Sequence, residues 1–138
     1  MKIDYLNGHC ADFAVVLFEL LASTRPDVSL VALRGKRGRE SVLIHAYVGL
    51  GEGYLDAHMK LYTEDDLETR LWEWLEYERW YGKSNAEAWV EEYATVRSFK
   101  QSLRRCYRFD NEIQAAAKRE LLTALESHPN LVDLRRVT

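Results

Sequence analysis

Cys10, His45 and Asp56 are the residues of this chain whose types and order suit nucleophilic chemistry. Cys10 stands in "GHCADFAVV", at the mouth of a strongly apolar run. If that run is helical, Cys10 lies in its first turn, where unpaired N–H groups and the helix dipole favour an anion. A thiol so placed, beside a basic partner, ionises below the ~8.5 of a free cysteine. Gly8 would let a substrate carbonyl approach the backbone, and the Cys10 N–H could donate to an oxyanion. His45, in "VLIHAYV", could take the thiol proton and later protonate a leaving group; Asp56, in "GYLDAH", could orient the imidazole and set its tautomer. The chemistry would be attack at an amide or related acyl carbon through a thioester. Asn7, Gly8, His9, Tyr47 and His58 are the candidates for lining the substrate or the oxyanion, and His9 or His58 could also replace His45 as base.

Each residue has a plainer reading. Cys10 could be a small packed hydrophobe, His45 a satisfied core histidine, and Asp56 a turn residue bonding backbone amides. The pairing register discriminates. A two-residue loop at Leu50–Gly51 sets His45 directly opposite Asp56. A loop at Gly51–Glu52 sets Tyr47 opposite Asp56 and leaves His45 on the diagonal of the same face. A three-residue loop would put imidazole and carboxylate on opposite faces.

The elements that must position them follow from periodicity. Residues 10–23 read as a helix with Phe13, Leu17, Leu20 and Leu21 on one face and apolar residues around most of the rest, hence a buried central helix. Val28–Gly35, Ser41–Leu50 and Tyr54–Met59 read as strands of an antiparallel meander, with Leu43, His45 and Tyr47 on one face of the second. "GKRGRE", with Arg34, Lys36, Arg37 and Arg39 in or beside it, reads as a basic hairpin tip. Thr63 and Asp66 form a capping-box start, with Tyr62 and Leu67 as staple, for a helix to Tyr81 that Gly82 stops. Ser84 and Glu87 are expected to cap a further helix to about Val96. Residues 97–109 are expected to be helical, and Asp110 opens a last helix with Ile113, Ala117, Leu121 and Leu125 on one stripe, ending before Pro129. The expected class is α+β: a buried N-terminal helix on a small antiparallel sheet, followed by C-terminal helices. The chain reads as one domain over residues 1–138, with helix and sheet in 1–60 and a helical extension in 61–138.

A cysteine opening a buried helix, then a histidine and an aspartate on adjacent antiparallel strands, resembles the papain-like and transglutaminase-like superfamily of cysteine enzymes. "GHCADFA", "HAYV" and "GYLDAH" also resemble segments of short bacterial and phage proteins of that type, over Asn7 to His58. The resemblance implies Cys10 as nucleophile, His45 as general base and acid, Asp56 as orienting carboxylate, a protein or peptide substrate, and no metal or organic cofactor. In one respect the chain departs from it. Papain-like peptidases carry a glutamine upstream of the nucleophile for the oxyanion, and the nearest amide here is Asn7.

Composition narrows the classes. The 138 residues are 47% hydrophobic and 30% charged, with net charge −3, as in an ordinary globular protein without the basic excess of a nucleic-acid binder. Cys10 and Cys106 are the only cysteines, which fits a reducing compartment rather than a disulfide framework, and Cys106 reads as packing. His9, Cys10, His45 and His58 match no zinc spacing. Lys2 alone precedes the apolar run, and Asp4, Asp12 and Glu19 interrupt or flank it, which argues against a signal peptide; no stretch reaches the ~20 apolar residues of a membrane span. The expected location is cytoplasmic.

"LWEWLEYERWYG" remains. Trp72 and Trp74 cannot share one helix face. Trp72, Trp74 and Trp80, with Tyr77 and Tyr81 among Glu73, Glu76 and Glu78, suit either a protein-binding face or packing in a helical bundle. The alternative to an enzyme is therefore a non-catalytic module that binds a protein through helix 64–81.

Overall fold

The computed structural model describes residues 8–82 and 85–127, apart from the side chains of Leu125 and Ser127. In chain order the elements are α1 (Cys10–Ala22), β1 (Ser29–Arg37), β2 (Glu40–Leu50), β3 (Gly53–Leu55), β4 (Leu61–Tyr62), α2 (Glu64–Trp80), β5 (Glu87–Tyr93), α3 (Val96–Leu103) and α4 (Asn111–Ser127). The class is α+β, with a five-stranded antiparallel sheet ordered β4-β3-β2-β1-β5.

Helix α1 is central, as its apolar circumference requires: every residue from Cys10 to Phe18 is buried, and so is Leu21. One side of it meets Leu30, Ala32, Ala46, Val48, Leu50 and Leu55 of the sheet, while Ala117 and Leu121 of α4 join the same core. Val31, Leu33 and Tyr47 point to the opposite sheet face, which Leu67 and Leu71 of α2 cover. Two faces filled in alternation explain why β1 and β2 read as nearly continuous apolar runs.

Helix α2 begins as its sequence dictates. Thr63 accepts the Asp66 N–H, Asp66 accepts the Thr63 N–H at 2.8 Å, and Gly82 ends the helix region with φ +81°. Leu67 is buried in the cluster that Tyr62 joins, as a staple would have it.

Three expected elements differ. Glu87–Tyr93 is a strand, not a helix, paired antiparallel with β1 from Lys36↔Glu87 to Leu30↔Tyr93. Trp89, Glu91 and Tyr93 turn inward at period two, and without this strand β1 would carry a row of unpaired N–H and C=O groups. The proposed cap residue Ser84 lies outside the described residues. The third strand stops at Leu55, so Asp56 begins the turn that follows, in which Met59 takes φ +57°. Helix α3 stops at Leu103 rather than near 109, and its cap is Thr95, which accepts the Ser98 N–H at 3.1 Å. The basic tip is partly an interior feature too. Arg34 is buried, donating to Ser41 at 2.8 Å and Ser102 at 3.1 Å and pairing with Glu91, while Arg37 pairs with Glu78.

Candidate active site

The site begins with the turn that sets the register of β2 on β3. Val48 pairs with Leu55, Gly49 with Tyr54 and Leu50 with Gly53, so Gly51 and Glu52 form the loop. Buried Arg25 holds that loop. Its guanidinium donates to both Glu52 oxygens at 2.8 Å and to Asp27 Oδ1 and Oδ2 at 2.9 and 2.6 Å. Asp27 Oδ2 in turn accepts the Gly51 N–H at 3.0 Å. Arg25 and the Gly51 N–H hold the Asp27 carboxyl down to about 2.

With that register His45 and Asp56 meet on the diagonal. His45 Nε2 lies 2.9 Å from Asp56 Oδ2, and the residues are 1% and 2% exposed. Asp56 Oδ1 accepts the His58 N–H at 2.9 Å. Burial pushes the Asp56 carboxyl up, but its bonds to His45 and the His58 amide prevail and hold it below the ordinary carboxylate range. An ionised carboxylate only accepts, so Nε2 carries the imidazole proton and Nδ1 keeps its lone pair. Burial lowers the His45 pKa against the opposing pull of Asp56, with Arg70 adding to the lowering. The imidazole is therefore neutral near pH 7.

A bulge precedes His45. Leu33 pairs with His45 but Arg34 pairs with Leu43, which leaves Ile44 as the extra residue of β2. Leu43 consequently packs with the α1 core, whereas Ile44 joins Tyr47 on the α2 side. The expectation that Leu43 shares a face with His45 and Tyr47 fails for that reason. His45 and Tyr47 do share a face, their rings 4.8 Å apart and edge-on.

Cys10 is the first residue of α1, as expected, and is 9% exposed. The backbone amides of Ala46 and Ala11 favour its thiolate, so the sulfur rests against the residue that follows His45. Burial outweighs those amides and the Arg70 charge, and the thiol is pushed up to about 11. The expectation of a depressed thiol pKa is reversed, because taking sulfur out of water penalises the charged form more than the helix end rewards it. Among the described residues no hydrogen bond joins Cys10 to His45. The structure thus brings Asp56 to His45, but not Cys10: His45 stands with Leu33 and Tyr47 on the α2 side of the sheet, whereas Cys10 stands on the α1 side against the backbone of Ala46.

The surroundings of Cys10 form a cavity of about 620 Å³. Gly8, His9 and Cys10 line one part of it, and Tyr107 and Arg108 another. Gly8 has φ +94° and nothing within 4 Å of where a Cβ would stand, so the backbone angle, not crowding, calls for glycine. His9 caps α1 without a side-chain cap bond and lies 3.9 Å from Asp12. His58 is exposed, and its contribution to Asp56 is its backbone N–H. Asn7 lies outside the described residues.

Sequence reasoning missed three residues here. Asp12, read as a polar interruption, is fully buried and accepts from Tyr107 Oη at 2.7 Å, Gln114 Nε2 at 2.9 Å and the Asp110 N–H at 3.0 Å, tying the start of α1 to α4. Its position in the first turn of an apolar helix was the available signal. Arg70 donates to Tyr47 Oη at 3.5 Å, and its charge acts on Cys10, His45 and Tyr62 alike. Tyr62 meets Tyr47 edge-on at 5.7 Å and interacts with the Asp56 carboxylate. Arg70 carried no motif and Tyr62 only its staple role, since both reach the site only through the β3–β4–α2 path.

The tryptophans divide. Trp72 is 57% and Trp80 84% exposed, with Tyr77 and Tyr81 also in solvent. Trp74 is half-buried against β1, where a Cβ on Gly35 would come within 2.6 Å of its ring, and the Arg37 guanidinium lies 5.9 Å from the ring centre. Glu78, expected on the rim, is buried against Arg37. Cys106 is half-buried, its Sγ donating to Leu103 O at 3.5 Å. Among the described residues no cluster of histidine, cysteine and acidic side chains is arranged to hold a metal ion, and no helix is long and apolar enough to cross a membrane. Comparison of the chain with protein-family models, curated proteins and solved structures returns no match.

Proposed function

We propose that the protein is a cysteine-dependent hydrolase or acyl transferase acting on amide bonds of a protein or peptide, with Cys10 as nucleophile, His45 as base and acid, and Asp56 as orienting carboxylate. The observation that carries this reading is the buried His45–Asp56 pair at 2.9 Å, one residue from the Ala46 amide that faces the Cys10 sulfur. A neutral imidazole with Nε2 committed to a carboxylate has one free basic atom, Nδ1. The resting pair is then a thiol and an imidazole, not a thiolate and an imidazolium, and His45 acts as a general base during attack. Cys10 stands on the α1 side of the sheet and His45 on the α2 side, so this reading requires the backbone at the β2 bulge to turn the imidazole toward Cys10 when substrate binds.

The reaction runs in two halves. Cys10 Sγ bonds to the amide carbon while its proton passes to His45 Nδ1. The Cys10 and Ala11 N–H groups at the open end of α1 are the donors for the oxyanion, the Asp12 N–H being given to Tyr107 Oη at 3.2 Å. Collapse breaks the C–N bond, the amine leaves with the proton from His45, and a thioester remains. Water, deprotonated by His45, or an acceptor amine then releases Cys10.

The test is a burst experiment with 4-nitrophenyl acetate on Cys106→Ser protein. A nitrophenolate burst close to one equivalent is expected, absent in Cys10→Ala and slowed about a hundredfold or more in His45→Ala. An equal burst without Cys10 would overturn the reading.

A second reading has an observation of its own. Trp72, Tyr77, Trp80 and Tyr81 leave large aromatic surfaces in water on α2, the composition of a protein-binding hot spot. In that reading the protein is a non-catalytic module, Cys10→Ala is silent, and Trp72→Ala with Trp80→Ala abolishes partner binding; Trp74, packed on Gly35, takes no direct part.

A further inference from the structure

A second cavity, of about 320 Å³, opens beside Tyr47 on the α2 side of the sheet. Arg70 and Lys60 line it, together with Tyr47 and Tyr62. The Lys60 ammonium lies 5.5 Å from the Tyr62 ring centre, and Arg70 Nη1 lies 3.5 Å from Tyr47 Oη. Among the described residues neither cation forms an ion pair. That is unusual for an arginine that is half-buried, because a guanidinium withdrawn from water gains most from a carboxylate fork. Two acidic residues also border the cavity. Asp66 is engaged by the Thr63 N–H at 2.8 Å in the helix cap, and Glu73 is exposed.

We propose that this cavity is a binding site for a carboxylate ligand, gripped by Arg70 with Lys60 and the Tyr47 hydroxyl as further donors. The inference goes beyond the acyl-transfer reading and does not depend on it, because this cavity lies on the α2 side of the sheet and shares no lining residue with the cavity at Cys10. Tyr47 joins the cavity to the buried His45–Asp56 pair, its ring edge lying against His45 while its hydroxyl meets Arg70. Burial pushes that hydroxyl up to about 12, so it stays a donor. The two acidic neighbours offset much of the positive charge, which favours a singly charged carboxylate over a doubly charged phosphate. A planar carboxylate also matches the guanidinium fork.

The experiment uses full-length Cys10→Ala protein, so that no turnover is needed. N-acetylglutamic acid α-amide, its uncharged isostere N-acetylglutamine α-amide, and inorganic phosphate are titrated separately and followed by NMR, with the Arg70 side-chain Nε–H as reporter. The acid is expected to bind and shift that resonance, and to bind at least tenfold more tightly than the isostere or phosphate. Arg70→Gln should weaken the acid at least tenfold with an unchanged circular dichroism spectrum, and Arg70→Lys should weaken it less. Equal binding of acid and isostere, tighter binding of phosphate, or an Arg70→Gln protein that binds as well would overturn the proposal. If Arg70→Gln does not fold, the comparison of acid with isostere decides alone. Because binding is read without the nucleophile, failure here leaves the nitrophenolate burst standing, and failure of the burst leaves this binding result intact.

Discussion

His45 and Asp56 meet diagonally across β2 and the end of β3, with Nε2 and Oδ2 2.9 Å apart and both side chains withdrawn from water. The diagonal is a consequence of the two-residue loop at Gly51 and Glu52, and a loop one residue longer would turn one partner to the opposite face. Arg25 is therefore tied to the site although it touches neither residue. It clamps Glu52, and through Asp27 it fixes the Gly51 amide.

Removing the clamp should loosen the register. Arg25→Met would leave Asp27 and Glu52 as neighbouring like charges and is expected to cost about 2–3 kcal/mol, below the usual penalty for breaking a fully buried pair because both carboxylates are partly in water. Urea denaturation measures it. A loss under about 0.5 kcal/mol would show that the turn holds without the arginine.

The His45 tautomer is directly observable. Long-range ¹H–¹⁵N spectra near pH 7 should show Nε2 protonated and the ring titrating below the ordinary histidine value. The stability consequence has a definite sign. A histidine whose pKa is lower folded than unfolded makes no contribution above about pH 6.5. Below it, the unfolded chain binds a proton that the folded one resists, so stability falls with pH. Between pH 7 and 5, where Asp56 stays ionised, the wild type should lose more stability than His45→Gln. Parallel curves would contradict the lowering.

Cys10 produces the opposite, alkaline dependence. Its thiol is pushed up to about 11 from 9.0, so between those values the unfolded chain loses a proton that the folded one keeps, and stability falls as pH rises. Relative to Cys10→Ala the wild type should lose about 2 kcal/mol by pH 11. In the same pH range iodoacetamide should modify half-buried Cys106 before Cys10. A Cys10 that alkylates rapidly at pH 7 would show the thiolate already formed and the general-base route unnecessary.

Gly35 and Trp74 make a packing test for the placement of α2. A Cβ on Gly35 would lie 2.6 to 2.9 Å from three atoms of the indole ring, so Gly35→Ala should cost about 1–3 kcal/mol by overpacking. Adding Trp74→Leu, which removes the crowding ring, should make the alanine nearly neutral in a double-mutant cycle. Additive losses would mean that the indole does not rest on Gly35.

Local signals in the chain suffice for two of the helices and for the pairing alternatives at the site. Residues 10–22 are apolar around the helix, which leaves burial as the only stable environment, and the Thr63–Asp66 box starts α2 through bonds between near neighbours. The alternation of β2 and β3 allowed two registers that join His45 to Asp56, and the one with Gly51–Glu52 as loop is present. Tertiary structure decided the rest. Glu87–Tyr93 follows a helix-capping signal, Ser84 with Glu87, but pairs with β1, because an edge of a sheet offers hydrogen bonds that no local pattern reveals. Arg70 and Tyr62 enter the site through a sheet edge and a helix that follow Asp56 in the chain. The protonation of Cys10 was beyond reach for the same reason. A helix end acts within one turn and can be read from order alone, whereas desolvation depends on how the sheet and α4 close over the sulfur.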